Sequence, residues 1–148
     1  MGRIRSVFVF SVLFALAPGV SAQVLAPDST RAGEPEIGFT LGQNYPNPFN
    51  PETRIPFELH EGLFTDGGTA VVSVRIYNVL TQPIGSPVAL NHISGQVPLI
   101  DLEYLSPGRY EAYWDGLDQF GREVASGIYF VQLTVNGVSD TTRMYVAK

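Results

Sequence analysis

The chain has 148 residues, of which 9 are basic and 14 acidic, a formal net charge of −5, and no cysteine. That balance argues against a nucleic-acid partner, which would need a basic face to meet phosphates. The lack of cysteine means that a chain of this size must be held by its core rather than by disulfides, and its length suits one ordinary domain rather than two.

In chain order, Arg3 and Arg5 precede an apolar run from Val7 to Phe10 that resumes after Ser11 from Val12 to Ala17. Positive charge followed by a short apolar segment, then Pro18-Gly19 and the small residues of Val20-Ser21-Ala22, is the pattern of an export signal over residues 1–22, with cleavage expected between Ala22 and Gln23. The run falls short of the roughly 20 residues that span a bilayer, so no stable membrane span is expected after cleavage. Residues 23–40 carry two prolines, two glycines and scattered charges without a period, and read as a flexible linker. The competing expectation for its end is that Ile37 and Phe39 add an edge strand.

The domain expected over residues 41–148 opens on Leu41-Gly42-Gln43-Asn44-Tyr45-Pro46-Asn47-Pro48-Phe49-Asn50-Pro51-Glu52-Thr53. Its prolines fix φ and push the preceding residues toward extended geometry, which predicts a rigid ribbon with turns at the Asn-Pro steps and with Tyr45 and Phe49 as apolar plugs. Arg54 to Leu59 alternates, placing Ile55, Phe57 and Leu59 on one face. Pro56 has no amide proton, which predicts a strand at an edge or bonded on one side. After a loop from Gly62 to Gly68, the β-branched run Thr69 to Val79 alternates again, with Val72, Val74 and Ile76 pointing inward.

Gln82 to Gly85 reads as a turn, and Val88 to Leu90 and Val97 to Leu102 as weaker strands around Ser94-Gly95. Ser106-Pro107-Gly108 is a strong turn signal before a strand from Arg109 to Trp114, with Tyr110, Ala112 and Trp114 on one face. A loop from Asp115 to Arg122 leads to a long strand from Gly127 to Val135, and Asn136-Gly137 predicts a hairpin with a final strand from Asp140 to Ala147. Short strands at regular spacing, with no convincing amphipathic helix, predict an all-β, immunoglobulin-like antiparallel sandwich with Trp114 between the sheets.

The block from Leu41 to Thr53 resembles the opening of the C-terminal sorting domains of type IX secretion cargo, a family similar to the immunoglobulin-like domain of flagellar hook-capping proteins. Trp114-Asp115-Gly116, Gly121-Arg122, Val124-Ala125-Ser126-Gly127-Ile128-Tyr129-Phe130, and Thr142-Arg143-Met144 with Lys148 extend the resemblance over residues 41–148. Thr81 departs from it, standing where relatives commonly have glycine. The resemblance implies export to the periplasm and recognition of the folded domain by an outer-membrane secretion translocon. In many relatives a sortase-like peptidase then removes the domain, and the cargo ends at the cell surface or outside. It points to Asn44, Tyr45, Pro46, Asn47, Pro48 and Phe49, and to Arg143, Met144 and Lys148, as recognition residues. Trp114, Asp115, Gly116, Gly121, Gly127 and Tyr129 are the structural ones.

The chemistry-bearing residues point away from catalysis. His60 and His92 are the only histidines, both fall in or beside loops, and neither has partners at ligand spacing. No serine sits in a nucleophile elbow and no glycine-rich loop leads into a helix, so neither an enzyme nor a cofactor is expected. Asp115, Asp118 and Glu123 could offer oxygens to a calcium ion, but their spacing is not that of a calcium loop, and the plainer expectation is that the two aspartates brace turns, with no metal.

The proline ribbon reads equally as a seal on one end of the sandwich and as a docking element that loses little entropy on binding. The segment Thr141 to Lys148 reads as a final strand or as the export determinant, with an open edge able to add to another sheet. The function expected is a non-enzymatic sorting module recognised by the type IX machinery. The alternative is a free-standing immunoglobulin-like adhesion or structural subunit of the cell surface.

Overall fold

The computed structural model describes residues 38–148. The expected export signal, its cleavage point and the linker up to Ile37 lie outside the described residues. Nine strands are found within them: β1 (Phe39–Leu41), β2 (Thr53–Leu59), β3 (Ala70–Tyr77), β4 (Pro83–Gly85), β5 (Val88–Leu90), β6 (Leu102–Tyr104), β7 (Gly108–Trp114), β8 (Gly127–Val135) and β9 (Val138–Val146). A short 3-10 segment, Glu61–Gly67, joins β2 to β3. The chain forms an all-β sandwich of two antiparallel sheets, one ordered β1-β2-β7-β5 and the other β4-β3-β8-β9, with β6 also alongside β3.

Alternation of side chains decides which face of each strand is buried. Ile55, Phe57 and Leu59 on β2, Val72, Val74 and Ile76 on β3, and Val131, Leu133 and Val135 on β8 are all buried in one core with Trp114 and Met144. Burying such a side chain contributes about 1.5–3 kcal/mol, so the period-two pattern carries most of the driving force for the two layers to close. Asn136 and Gly137 both take positive φ, 49° and 85°, as a two-residue hairpin turn between β8 and β9 requires. Among the described residues no helix is long and apolar enough to cross a membrane.

Four details differ from the sequence reading, or sharpen it. Phe39 and Thr40 form the edge strand β1 against Leu59 and Glu58 rather than the end of a linker. β2 has neighbours on both sides, β1 and β7. Pro56 is tolerated there because its carbonyl, which accepts from Gly42 N at 2.9 Å, and hence its missing N–H, faces the β1 side just beyond the last β1–β2 pair, Leu41 with Phe57. Residues 97–101 are not a strand. Pro98 lacks a donor and Asp101 turns with φ 50°, so the ladder against β3 forms only from Leu102, although buried Leu99 is still tied to Pro87 O and Val74 N. Pro83–Gly85, read as a turn, pairs with β3, and the turn lies before it, where Thr81 has φ 59°.

Candidate recognition surface of the proline ribbon and the last strand

The ribbon from Gln43 to Pro51 is fixed by a buried polar knot and an aromatic plug. Asn44 is buried, and its Nδ2 donates to Thr53 Oγ1 at 3.0 Å and to Pro46 O at 3.1 Å, while Thr53 Oγ1 donates to the same carbonyl. A buried amide left without these partners would cost about 1–3 kcal/mol, so the knot holds the turn in one geometry. Tyr45 exchanges two backbone hydrogen bonds of 2.9 Å with Arg54. Its hydroxyl reaches Glu111 on β7, which also pairs with Arg54 at 3.1 Å. A second tie to β7 runs from the Tyr113 hydroxyl to Glu52, and this bond is the main reason the Tyr113 phenol titrates above its ordinary value of 10.0.

Phe49 is buried with its ring 5.6 Å from that of Trp114, which lies 6.0 Å from Tyr129. Trp114 Nε1 donates to Leu117 O at 2.9 Å and the Tyr129 hydroxyl to Ala125 O at 3.0 Å, so each polar tip in the cluster is satisfied. Gly116 closes the cluster. With φ 75°, a Cβ there would stand 2.2 Å from Pro51 O, so the ribbon and the Asp115–Gly116 turn touch backbone to backbone.

The ribbon also covers the outer edge of β9. Phe49 N donates to Tyr145 O and Ala147 N to Phe49 O, each at 3.0 Å, a parallel bridge. Tyr145 N donates to Asn47 Oδ1 at 3.0 Å and Gln43 Nε2 to Arg143 O at 2.9 Å. The expectation of an open terminal edge is therefore corrected: from Arg143 to Ala147 the edge is occupied by the chain's own ribbon. Toward the hairpin, where no described strand pairs on that side, the Thr141 N–H is held by the Asp140 side chain at 2.8 Å.

Of the recognition residues named from the sequence, Tyr45, Pro46, Pro48, Arg143 and Lys148 are exposed and Asn47 is half-buried. Asn44, Phe49 and Met144 are buried, so they shape the surface from beneath and cannot touch a partner of the folded domain. Lys148 Nζ pairs with Glu123 at 2.8 Å, which pulls that carboxyl below its ordinary value of 4.5. Arg143 makes no ion pair among the described residues. Gln43 and Tyr145, which complete the surface, were not singled out from the sequence. The signal for Tyr145 was present in the alternation of β9, which turns Thr141, Arg143 and Tyr145 away from buried Met144 and Val146.

The loop candidates for chemistry resolve into structural bonds. Asp115 Oδ1 accepts from Leu117 N at 3.0 Å. Asp118 accepts from Phe120 N, Arg122 N and the Arg122 guanidinium, and the Arg122 backbone donor is the largest cause of its carboxyl lying below 3.8. With Glu123 engaged by Lys148, the three carboxylates do not converge, and among the described residues no group of three or more His, Cys, Asp or Glu is placed to hold a metal. His60 Nε2 bonds Thr40 Oγ1 at 3.0 Å. His92 bonds Glu103 O and Ser94 N, a local loop brace. Gly121 sits in the loop before β8 with φ 75°, and Gly127 opens β8 with φ 154°.

The sequence matches no protein-family model and no curated protein. Among solved structures it is similar to dimeric latent PorU from Porphyromonas gingivalis, at 18% identity over 74% of this chain with a TM-score of 0.49. It is also similar to PorZ of the same organism, described as an essential surface component of the type IX secretion system, at 20% identity over 72% of this chain with a TM-score of 0.41. The chain spans only 9% and 11% of the length of those two proteins.

Proposed function

We propose that this chain is a non-enzymatic sorting module with an immunoglobulin-like fold, exported through the periplasm, whose ligand is the type IX secretion machinery and whose address is the composite surface of ribbon and last strand. The observation that carries the reading is the coverage of β9 by residues 43–49. Two blocks that resemble the family's opening and closing motifs, 98 and 100 residues apart at their side-chain bonds, form one continuous face. A partner docking there meets Tyr45, Pro46 and Pro48 beside Arg143 and Tyr145, a proline-fixed ribbon next to a cation with no ion-pair partner among the described residues, and loses little ordering entropy. The outer-membrane translocon is the partner this reading assigns, with a sortase-like peptidase acting after transit.

Ending the chain at Asp140 would remove buried Met144 and Val146 along with the surface, so the informative variants are superficial ones. The test is fractionation of the native host expressing the chain with Arg143→Gln and Tyr145→Ser, each purified protein also being melted. Native protein at the surface or in the medium, with variants that melt normally yet remain periplasmic, bears the proposal out. Variants exported as well as the native chain would sink the composite address. Native protein that itself stays periplasmic would favour the free-standing structural subunit.

A further inference from the structure

The outer edge of β9 is a ladder whose rungs are filled by different means. Tyr145 N and O, Ala147 N and Arg143 O all face the ribbon, so the odd-numbered residues of β9 turn their backbone groups outward and the even-numbered ones toward β8. Between Tyr145 and Ala147 the rung is backbone: Phe49 N donates to Tyr145 O and Phe49 O accepts from Ala147 N, each at 3.0 Å. Between Arg143 and Tyr145 two carboxamides stand in for a strand, Gln43 Nε2 donating to Arg143 O at 2.9 Å and Asn47 Oδ1 accepting from Tyr145 N at 3.0 Å. The next rung, Thr141 O with the Arg143 N–H, has no hydrogen bond among the described residues, and both residues are exposed. One rung further, the Thr141 N–H is already taken by Asp140 Oδ1 at 2.8 Å.

This pattern selects the direction of an incoming strand. In an antiparallel pair, a guest residue opposite Thr141 offers its carbonyl to an N–H that Asp140 holds, and one opposite Arg143 offers its N–H to a carbonyl that Gln43 occupies. In a parallel pair, one guest residue uses both free groups and strands none of its own: its N–H donates to Thr141 O and its carbonyl accepts from the Arg143 N–H. Phe49 makes the same pair of bonds two rungs along, where it bridges Val146 in parallel. The guest residue then lies opposite Thr142, with its side chain on the inner side, and the residue after it stands beside Arg143 on the outer side. Arg143 makes no ion pair among the described residues, so a carboxylate is the side chain that suits this second position.

We infer that the open rung takes an extended acidic peptide segment of a partner protein, paired parallel to β9 through one residue and followed by a carboxylate at Arg143. The contact gives the composite surface of ribbon and last strand its mode of docking, and for its partner it rests on that proposed function. Strand addition of this kind takes its affinity from main-chain bonds and its specificity from alternate side chains. One rung supplies two backbone bonds, so the contact is weak and reversible. Asp140 and Gln43, which close the rungs on either side, keep it from growing into a full ladder that would also recruit the edges of other copies.

The test is an amide NMR titration of the purified full chain with an acetylated, amidated peptide of sequence Thr-Thr-Val-Glu-Val-Thr. Saturable shifts centred on Thr141 to Arg143 are expected, with hydrogen exchange of the Arg143 N–H slowed about tenfold at saturation. The same peptide N-methylated on the valine before its glutamate, which removes the donor to Thr141 O, should bind roughly tenfold more weakly. A peptide with lysine for the glutamate should also bind more weakly, by a margin that shrinks with salt and disappears in Arg143→Gln. Asp140→Ala, which frees the Thr141 N–H, should tighten binding. The inference is overturned if no shift saturates, if the Arg143 N–H still exchanges freely at saturation, or if the N-methylated peptide binds as well. Arg143 protection that grows with protein concentration and needs no peptide overturns it in favour of a second copy at this edge. Binding is read in vitro, so its failure counts against this contact alone, whereas export of the Arg143→Gln and Tyr145→Ser chains decides the address.

Discussion

Replacing Gly116 with alanine should separate the ribbon from the sandwich, and Gly121 supplies the matched control. Both glycines have φ 75°, so both alanine variants carry the left-handed backbone cost of about 1–2 kcal/mol, offset in part by the smaller entropy lost from the unfolded chain. They differ in surroundings. A Cβ at 121 meets nothing within 4 Å, whereas one at 116 stands 2.2 Å from Pro51 O, where even 3.0 Å is tighter than real contacts allow. The ribbon must therefore retreat by about 0.8 Å, and gaps of that order forfeit a quarter to a half of each dispersion contact between Phe49 and Trp114. We expect Gly121→Ala to cost about 1 kcal/mol and Gly116→Ala about 3–5 kcal/mol, in the range of core disruptions. Urea unfolding followed by Trp114, the only tryptophan, reports directly on the cluster. If the two variants fall within about 1 kcal/mol of each other at equal m-values, the close approach to Pro51 does not govern stability and the reasoning fails.

Thr81, a β-branched residue at φ 59°, should give about 1 kcal/mol of added stability when replaced by glycine and much less when replaced by alanine; equal effects in thermal melts would remove backbone strain as the cause. The Tyr104 hydroxyl is buried without a partner among the described residues, so Tyr104→Phe should be neutral or stabilising by about 1 kcal/mol, and a loss of that size would reveal a partner. Burial also pushes the Tyr104 phenol up to about 12, so the unfolded chain ionises first, stability falls as pH rises through 10 toward 12, and Tyr104→Phe should flatten that decline in denaturant titrations. Asp118 titrates below 3.8, so its contribution is present above that pH and lost as pH falls through the lowered value; an NMR titration midpoint at or above 3.8 would refute the bonding described from Arg122.

The strands were legible in the sequence where burial on one face forced strict alternation, as in Ile55-Pro56-Phe57-Glu58-Leu59 and Val72 to Ile76, and where turn chemistry was unambiguous, as at Asn136-Gly137. They were illegible where pairing depended on a distant segment. Phe39 reads as linker or as an added edge strand, and only Leu59 beside it decides for the strand, while Pro83–Gly85 looks like a turn until β3 supplies its ladder. The site followed the same division. The extended ribbon was read from its prolines; Trp114 and Tyr129, grouped as structural residues, pack ring to ring at 6.0 Å, and Gly116 lies against Pro51 O. That Asn44, Phe49 and Met144 face inward, and that the ribbon lies along β9, depends on contacts between opposite ends of the domain, which local pattern does not encode.

That long-range contact also bears on what a partner would read under the proposed function. Tyr45, Pro46 and Pro48 are held in place by Phe49, whose ring is in the core against Trp114, and by Asn47 and Gln43, whose bonds end on β9. β9 in turn keeps its place through Met144 and Val146, which pack only when β8 and the opposite sheet are formed. An extended chain would present the same letters in order but not the same face, since the ribbon and Arg143 become neighbours only through the sandwich. The surface is thus a property of the folded domain, and a receptor that recognises it distinguishes folded from unfolded protein without any further device.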